Sequence, residues 1–327
     1  MVVAAMRPSA RIAVVLFLFL APRAFPYEAG LHPYYSYTAP GFAMGNAVAS
    51  LPAHPANAWS NPGGLAFQEG LLFYAAPHDE VTGNRGNFRD RVFVLHYARP
   101  GGGAYGAAFL LRQNEDQLVR IGEDLTAANI TEPTFLLSYG RKVRSIYGVG
   151  ISLFGYQQRA DFGALDGDPT VGMNAGVLRR WDHRLRGKIP LELRWGLAAL
   201  NVGPSYDVGE GEADLPLHFR TGFSWKWEHD RMNHVVGSGD IYYLPRDEGE
   251  EGDRWGGGIG LETKISGTVA VRAGYLWDQE RDRDGATYGF GVGNEVYPHV
   301  GGMIEYAHAP GDVAFADHLG LRIYWIP

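Results

Sequence analysis

Leu217, Phe219, Thr221, Phe223, Trp225 and Trp227 alternate with His218, Arg220, Gly222, Ser224 and Lys226. Successive residues of an extended chain point to opposite faces, so this stretch has one apolar face and one small, polar or charged face. The pattern recurs at 147–154, 269–277 and 319–325, with aromatic residues near the ends of the apolar face. Fourteen such segments centre on 70–76, 89–98, 104–112, 132–143, 146–159, 170–180, 191–200, 215–227, 232–243, 254–263, 268–277, 286–295, 299–308 and 317–325. Most run 9–13 residues, whereas soluble strands average about 5–6. A tilted strand crossing a bilayer needs about 9–11. The alternation therefore predicts an all-β fold, a 14-stranded antiparallel transmembrane β-barrel. A soluble sandwich, propeller or binding barrel is the alternative, but it would not set Trp225, Trp227, Trp277 and Trp325 at strand ends on the apolar face, where an aromatic girdle sits.

The connections alternate in length. Short ones fall at 100–103, 144–145 and 264–267, and longer ones at 113–131, 160–169, 201–214, 244–253, 278–285 and 309–316, with 181–190 the exception. Outer-membrane barrels have short periplasmic turns and longer external loops. An even strand count brings both termini to the periplasmic side. Charge divides the same way. The long connections carry Glu115, Asp116, Asp161, Asp166, Asp247, Glu248, Glu250, Glu251 and Asp253, and the short side carries Lys142, Arg144, Arg179, Arg180 and Lys264.

Composition narrows the alternatives. Glycine supplies 45 of 327 residues, about twice the usual share and without a collagen period; this fits many twisted or closely packed strands. A net charge of −7 without a basic tract argues against nucleic acid, and the absence of cysteine removes disulfides and thiolate metal sites. Arg7 and Arg11 precede the apolar run Ile12–Leu20, which is too short to span a bilayer and reads as an export signal. The expected division is a signal peptide over 1–24, a plug segment over 25–69 and a barrel over 70–327, located in the bacterial outer membrane.

Ahead of the first strand, Gly45, Ala47, Ala49 and Ala53 are small enough for close backbone packing, and Asn61-Pro62-Gly63-Gly64 is a turn sequence. Such a segment is placed to fold back into the lumen as a short helical plug. Met44-Gly45-Asn46-Ala47-Val48-Ala49 followed by Asn61-Pro62-Gly63-Gly64-Leu65-Ala66 resembles the "MGGAxxA … NPAGLA" signature of PorV/PorQ-type barrels, with Gly63 in the family's usual Ala position. The stretches Asn201–Pro204, Leu215–Gly222, Val269–Tyr275, Thr287–Gly293 and Asp317–Trp325 are similar to further family blocks, so the resemblance spans the mature chain. These proteins belong to a wider group that includes the FadL fatty-acid transporters.

The resemblance implies a protein-secretion partner of the type IX kind, passing exported cargo to a surface sortase without catalysis. The acidic residues Asp247, Glu248, Glu250, Glu251 and Asp253 are then candidate partner-loop positions. The alternative is transport of a small hydrophobic molecule across the outer membrane, as FadL-like barrels perform. Arg194, Arg220, Arg272 and Arg322 lie on the polar face of their strands, as do Glu192, Asp240 and Glu305. Those arginines could meet a carboxylate ligand, but an unpaired buried charge costs several kcal/mol, so interior pairing is favoured.

Catalysis has little to rest on. Gly237-Ser238-Gly239-Asp240 lacks the strand–turn–helix setting of a nucleophile elbow, and His218 is the only inward histidine considered. The run Asp278, Glu280, Asp282, Asp284 opens like a Ca²⁺ loop, but Gly291 stands where the closing Glu belongs. No cofactor or metal is expected. Outer-membrane lipid is the expected surrounding.

Overall fold

The computed structural model of the protein describes residues 36–81, 87–99, 101–121, 124–161, 166–185, 189–208, 211–230, 232–245, 254–278, 284–297, 299–310 and 315–326. The expected signal peptide lies outside them.

Fourteen antiparallel strands close into a barrel. They are β1 (Leu71–Val81), β2 (Asn87–Ala98), β3 (Ala104–Ile121), β4 (Asp124–Val143), β5 (Tyr147–Tyr156), β6 (Thr170–Leu185) and β7 (Ile189–Val202). After them come β8 (His218–Glu228), β9 (His234–Leu244), β10 (Arg254–Ile265), β11 (Val269–Asp278), β12 (Gly285–Tyr297), β13 (Val300–Pro310) and β14 (Phe315–Trp325). Each strand pairs with the next, and β1 closes on β14 through Leu71 opposite Trp325 and Phe73 opposite Ile323. Closure leaves no edge strand, so every wall amide can be paired within the sheet.

The outer face follows the period-two reading. Phe93, Leu95, Phe135, Leu137, Phe223, Ile259, Val271, Leu319 and Leu321 stand exposed on it. A belt of this kind is matched to lipid hydrocarbon. Trp227 and Trp325 are exposed at one rim and Trp255 at the other, while Trp225 and Trp277 are half-buried. Among the described residues no helix is long and apolar enough to cross a membrane.

Two connections differ from the sequence reading. Residues 113–131 are not an open loop: β3 runs 18 residues and β4 runs 20, both longer than a bilayer needs. These strands run on past the exposed apolar belt, and Gln113, Asn114 and Glu115 carry no apolar–polar alternation in sequence although Asn114 is buried on the inner face. The exceptional long connection at 181–190 also disappears, because β6 reaches Leu185 and β7 starts at Ile189.

Residues 36–69 run inside the barrel. Thr38 caps the helix α1 (Ala39–Ala43), its Oγ1 accepting from the Gly41 amide at 3.3 Å, and Pro40 suits the first turn. A second short helix, α2 (Asn57–Ser60), precedes a 3₁₀ turn over Pro62–Phe67. Inward wall glycines let the segment's backbone come close. A Cβ at Gly258 would overlap the Gly45 carbonyl, one at Gly150 the Pro62 carbonyl, and one at Gly196 the Ala49 carbonyl. Much of the glycine surplus on these strands thus serves close backbone approach.

Candidate functional site

The lumen has two unlike sides. On the side of β6–β14 it is charged. Arg220 of β8 and Asp240 of β9 are fully buried and paired at 3.0 Å. Arg194 Nε reaches Glu192 at 2.5 Å, and Arg180 Nη2 reaches the other Glu192 oxygen at 3.0 Å. Arg272 is bound to Glu262 at 2.6 Å and to Glu305 at 3.0 Å, and Glu305 also accepts from Arg322. All seven sequence-chosen lumen charges therefore face inward and engage one another. Glu262 escaped the sequence reading although register places it opposite Arg272. So did the forked pair of Arg112 and Asp90 across the lumen on β3 and β2, at 2.8 Å on both arms.

The charged side also grips the inner segment. Asp240 accepts from the Ala49 amide at 2.7 Å, and Arg220 donates to the Asn46 carbonyl. Thr287 accepts from the Gly45 amide at 3.0 Å and donates to the Ala43 carbonyl at 3.1 Å, while Ser224 donates to the Ser50 carbonyl at 3.1 Å. Asn61 joins the two layers. Its Oδ1 accepts from the Gly63 amide at 3.0 Å, and its Nδ2 donates to the Ala49 carbonyl at 2.6 Å and to the Val177 carbonyl of β6 at 3.1 Å. Pro62 and Gly63 lie against Gly150, Gly176 and Leu178, and Gly64 packs on Asn57. The Asn61–Gly64 sequence is thus a fastening point as well as a turn.

His54 sits in this inner segment, which does not itself cross the membrane. Burial first, then the Arg322 and Arg272 charges, push its imidazole down to about 3. It is neutral, with Nδ1 accepting from the Ala56 amide at 3.2 Å.

The side formed by β1–β5 carries an apolar patch, bordered by a buried row of His78, Asp90, Arg112 and Glu132 and, toward the other rim, by His96, Ser138 and Ser152. Tyr74, Val92, Val94, Leu110, Leu136 and Phe154 are buried on the inner face and form one cluster with Tyr37, Phe42 and Ala43 of the segment. Trp59 packs against the same cluster, with its indole N–H donating to the Ser36 carbonyl at 2.7 Å. At the barrel end away from Leu71 and Trp325, residues 203–208 and 211–217 fold over this lining. A small hairpin pairs 206–208 with 211–213, and Tyr206, Val208, Ala213 and Leu215 are buried in the same cluster. The Asp168 amide donates to the Asp207 carbonyl at 2.8 Å, tying the neighbouring connection to the hairpin.

The remaining sequence candidates separate from this arrangement. Asp247, Glu248, Glu250, Glu251 and Asp253 lie outside the described residues. Asp278 and Asp284 are joined by a 2.8 Å bond from the Asp278 amide, and the residues between them are also outside. Ser238 and Asp240 share the inner face of β9, but Asp240 is committed to Arg220 and Ala49. Among the described residues no group of three His, Asp or Glu side chains is placed to hold a metal ion.

The chain matches no protein-family profile and no curated protein by sequence. Its fold does have neighbours. The Ralstonia pickettii toluene transporter TbuX aligns with a TM-score of 0.53 at 12% identity, covering 89% of this chain and 98% of that one. The Pseudomonas putida toluene transporter TodX gives 0.54 at 12%, covering 92% and 98%. A Pseudomonas aeruginosa FadL homologue gives 0.51 at 12%, covering 88% and 98%. At such identities the likeness is one of fold, shared with FadL-type outer-membrane barrels. It does not extend to the PorV/PorQ assignment.

Proposed function

We propose that this chain is an outer-membrane channel for a small hydrophobic molecule, gated by residues 36–69 as a plug between the signal peptide and the barrel. The observation that carries this reading is the apolar lining of Tyr74, Val92, Val94, Leu110, Leu136 and Phe154. Barrel interiors are ordinarily polar. An apolar patch inside the wall instead favours a permeant that water does not hold well, because burying its surface gains about 25 cal/mol per Å². The charged side then has a mechanical role, holding the plug through paired side chains rather than meeting a ligand.

This reverses the order in which the sequence ranks the two functions. The secretion reading drew on family resemblance and on the acidic positions 247–253. The neighbouring folds include toluene transporters, and no contact among the described residues favours cargo or sortase binding.

The test is uptake of labelled toluene and of a long-chain fatty acid by cells carrying the protein. The variants Val92→Thr and Val94→Thr keep side-chain shape while adding a hydroxyl to the lining. Uptake above the empty-vector level, reduced several-fold in the double variant, supports the proposal. Uptake at the empty-vector level, with secreted proteins co-purifying from native membranes, returns the assignment to secretion.

A further inference from the structure

The barrel end where β1 begins and β14 finishes has a cleft of about 430 Å³, lined by Gln68, Glu69, Arg99, Arg141, Lys142 and Ile326 among others. Among the described residues three cations face one carboxylate there, in a chain whose net charge is −7. None of the three forms an ion pair among the described residues. Inside the lumen the reverse holds, with Arg112, Arg194, Arg220, Arg272 and Arg322 each bound to a carboxylate. Lys142 lies over the Phe67 ring at 5.4 Å, which leaves its charge without an anionic partner.

Beside this cleft, register arranges the outer wall into two rows. Tyr97, Tyr105 and Tyr139 stand directly across from one another on β2, β3 and β4, all exposed, with the last two rings 5.2 Å apart. Two residues nearer the rim, Arg99 and Arg141 flank Gly103, as the pairing of Ala98 with Ala104 and of Ala104 with Gly140 requires. The Arg99 amide donates to the Gly103 carbonyl at 3.3 Å. A Cβ on Gly103 would run into the Tyr139 ring, with the phenol oxygen 2.6 Å from it. The missing side chain lets Tyr139 lean over Gly103 and bring its hydroxyl toward the arginine row. On the other side of the tyrosines come the lipid-facing Leu95, Leu137, Phe93 and Phe135.

Two guanidinium groups and a phenol hydroxyl at one rim suit a phosphodiester, since arginine forks match phosphate oxygens and draw little on their own hydration. Tyrosine rings settle at headgroup depth. An acyl chain attached to that phosphate would run down the adjoining apolar strip. A free anion would use only the upper row. We propose that this notch is a docking site for an anionic phospholipid of the phosphatidylglycerol class, taken from the leaflet that meets this end of the barrel. The site rests on the barrel lying in a bilayer and not on what passes through the lumen, so failed uptake assays leave it standing.

The full-length protein is reconstituted in nanodiscs of phosphatidylglycerol and phosphatidylcholine in equal parts, and lipid retained after ejection is counted by native mass spectrometry. Wild type retains phosphatidylglycerol in preference. Each surface cation near a bilayer contributes roughly a fivefold factor, so Arg99→Gln with Arg141→Gln lowers the preference roughly 30-fold. Arg179→Gln, at the same end but set over Tyr147 and Trp181 at 5.4 and 5.1 Å, lowers it by no more than that single roughly fivefold factor. Tyr139→Phe keeps the ring and lowers retention by a smaller factor. Heat-modifiable gel mobility confirms that each variant is a folded barrel. Equal retention of both lipids by wild type overturns the proposal. So does a loss with Arg179→Gln equal to that of the double variant, or complete displacement of the lipid by inorganic phosphate.

Discussion

Arg220 and Asp240 form a pair whose spare bonding capacity is directed at the plug. The Asp240 oxygen that meets Arg220 at 3.0 Å also takes the Ala49 amide at 2.7 Å, and Arg220 reaches the Asn46 carbonyl. Two wall strands and two points of the segment therefore share one electrostatic unit. Removing either charge strands the other in a buried site, which costs about 3–5 kcal/mol. Asp240→Asn and Arg220→Gln should each lower stability to denaturant by that order, and the double variant should cost about as much as either alone. Chemical denaturation in lipid vesicles, followed by Trp59 emission, checks this. Strict additivity of the two would mean that the pair does not act as a unit.

The close approach at Gly258 gives a second expectation. Its missing Cβ leaves room for the Gly45 carbonyl, whereas Gly155 has open space where a Cβ would stand. Gly258→Ala should push the plug from its seat, at the cost of about 1–3 kcal/mol typical of overpacking. Gly155→Ala should be close to neutral. Single-channel conductance in planar bilayers distinguishes them, since a displaced plug opens an ion path that the seated one closes.

The wall was legible in the sequence because lipid imposes a demand on every second residue. Leu319, Leu321 and Ile323 read as an outward face and are exposed there. That demand ends at the membrane boundary, which is why Gln113–Asp116 read as a loop although β3 continues through them. Period two also assigns a face but not a partner. It places Arg272 inside, while its bond to Glu262 depends on the register of β10 against β11. The apolar lining was hidden for a related reason. Val92 and Val94 alternate with the outward Phe93 and Leu95, so both faces of β2 are apolar and no contrast marks which one is inside.

Acid should loosen the plug through His54. Its value near 3 lies below the ordinary imidazole value of about 6.5, so the folded protein binds fewer protons than the released segment. The stability that depends on neutral His54 is complete above about pH 6.5 and is lost as pH falls toward 3. Burial is the main cause; Arg322, Arg272 and His96 add to it, and Glu262 opposes it. Trp59 emission followed from pH 7.5 to pH 4 should report release in wild type. His54→Gln, which keeps an uncharged acceptor, should flatten that profile. An unchanged profile would assign the acid response to another group.

Among the described residues the hairpin over the apolar lining pairs only within itself and through a single bridge rather than with the barrel sheet, so it is expected to open before the wall does. Tyr206 meets Tyr156 edge-on with ring centroids 5.6 Å apart, and Val208 bridges to Gly167. Such a ring pair contributes about 0.5–1.5 kcal/mol beyond its burial. Tyr206→Leu, which keeps most of the apolar burial and removes the ring pair, should therefore raise the open fraction roughly two- to tenfold, leaving the barrel wall and the plug's grip on Arg220 and Asp240 intact. Hydrogen exchange reads this without any ligand. The amides of 206–208 and 211–213 should exchange faster in the variant, while those of Ala49 and Gly45, bonded to Asp240 and Thr287, keep their protection. Faster exchange at all of these positions together would mean that hairpin and plug open as one body, and the lumen would then have a single gate rather than two in series.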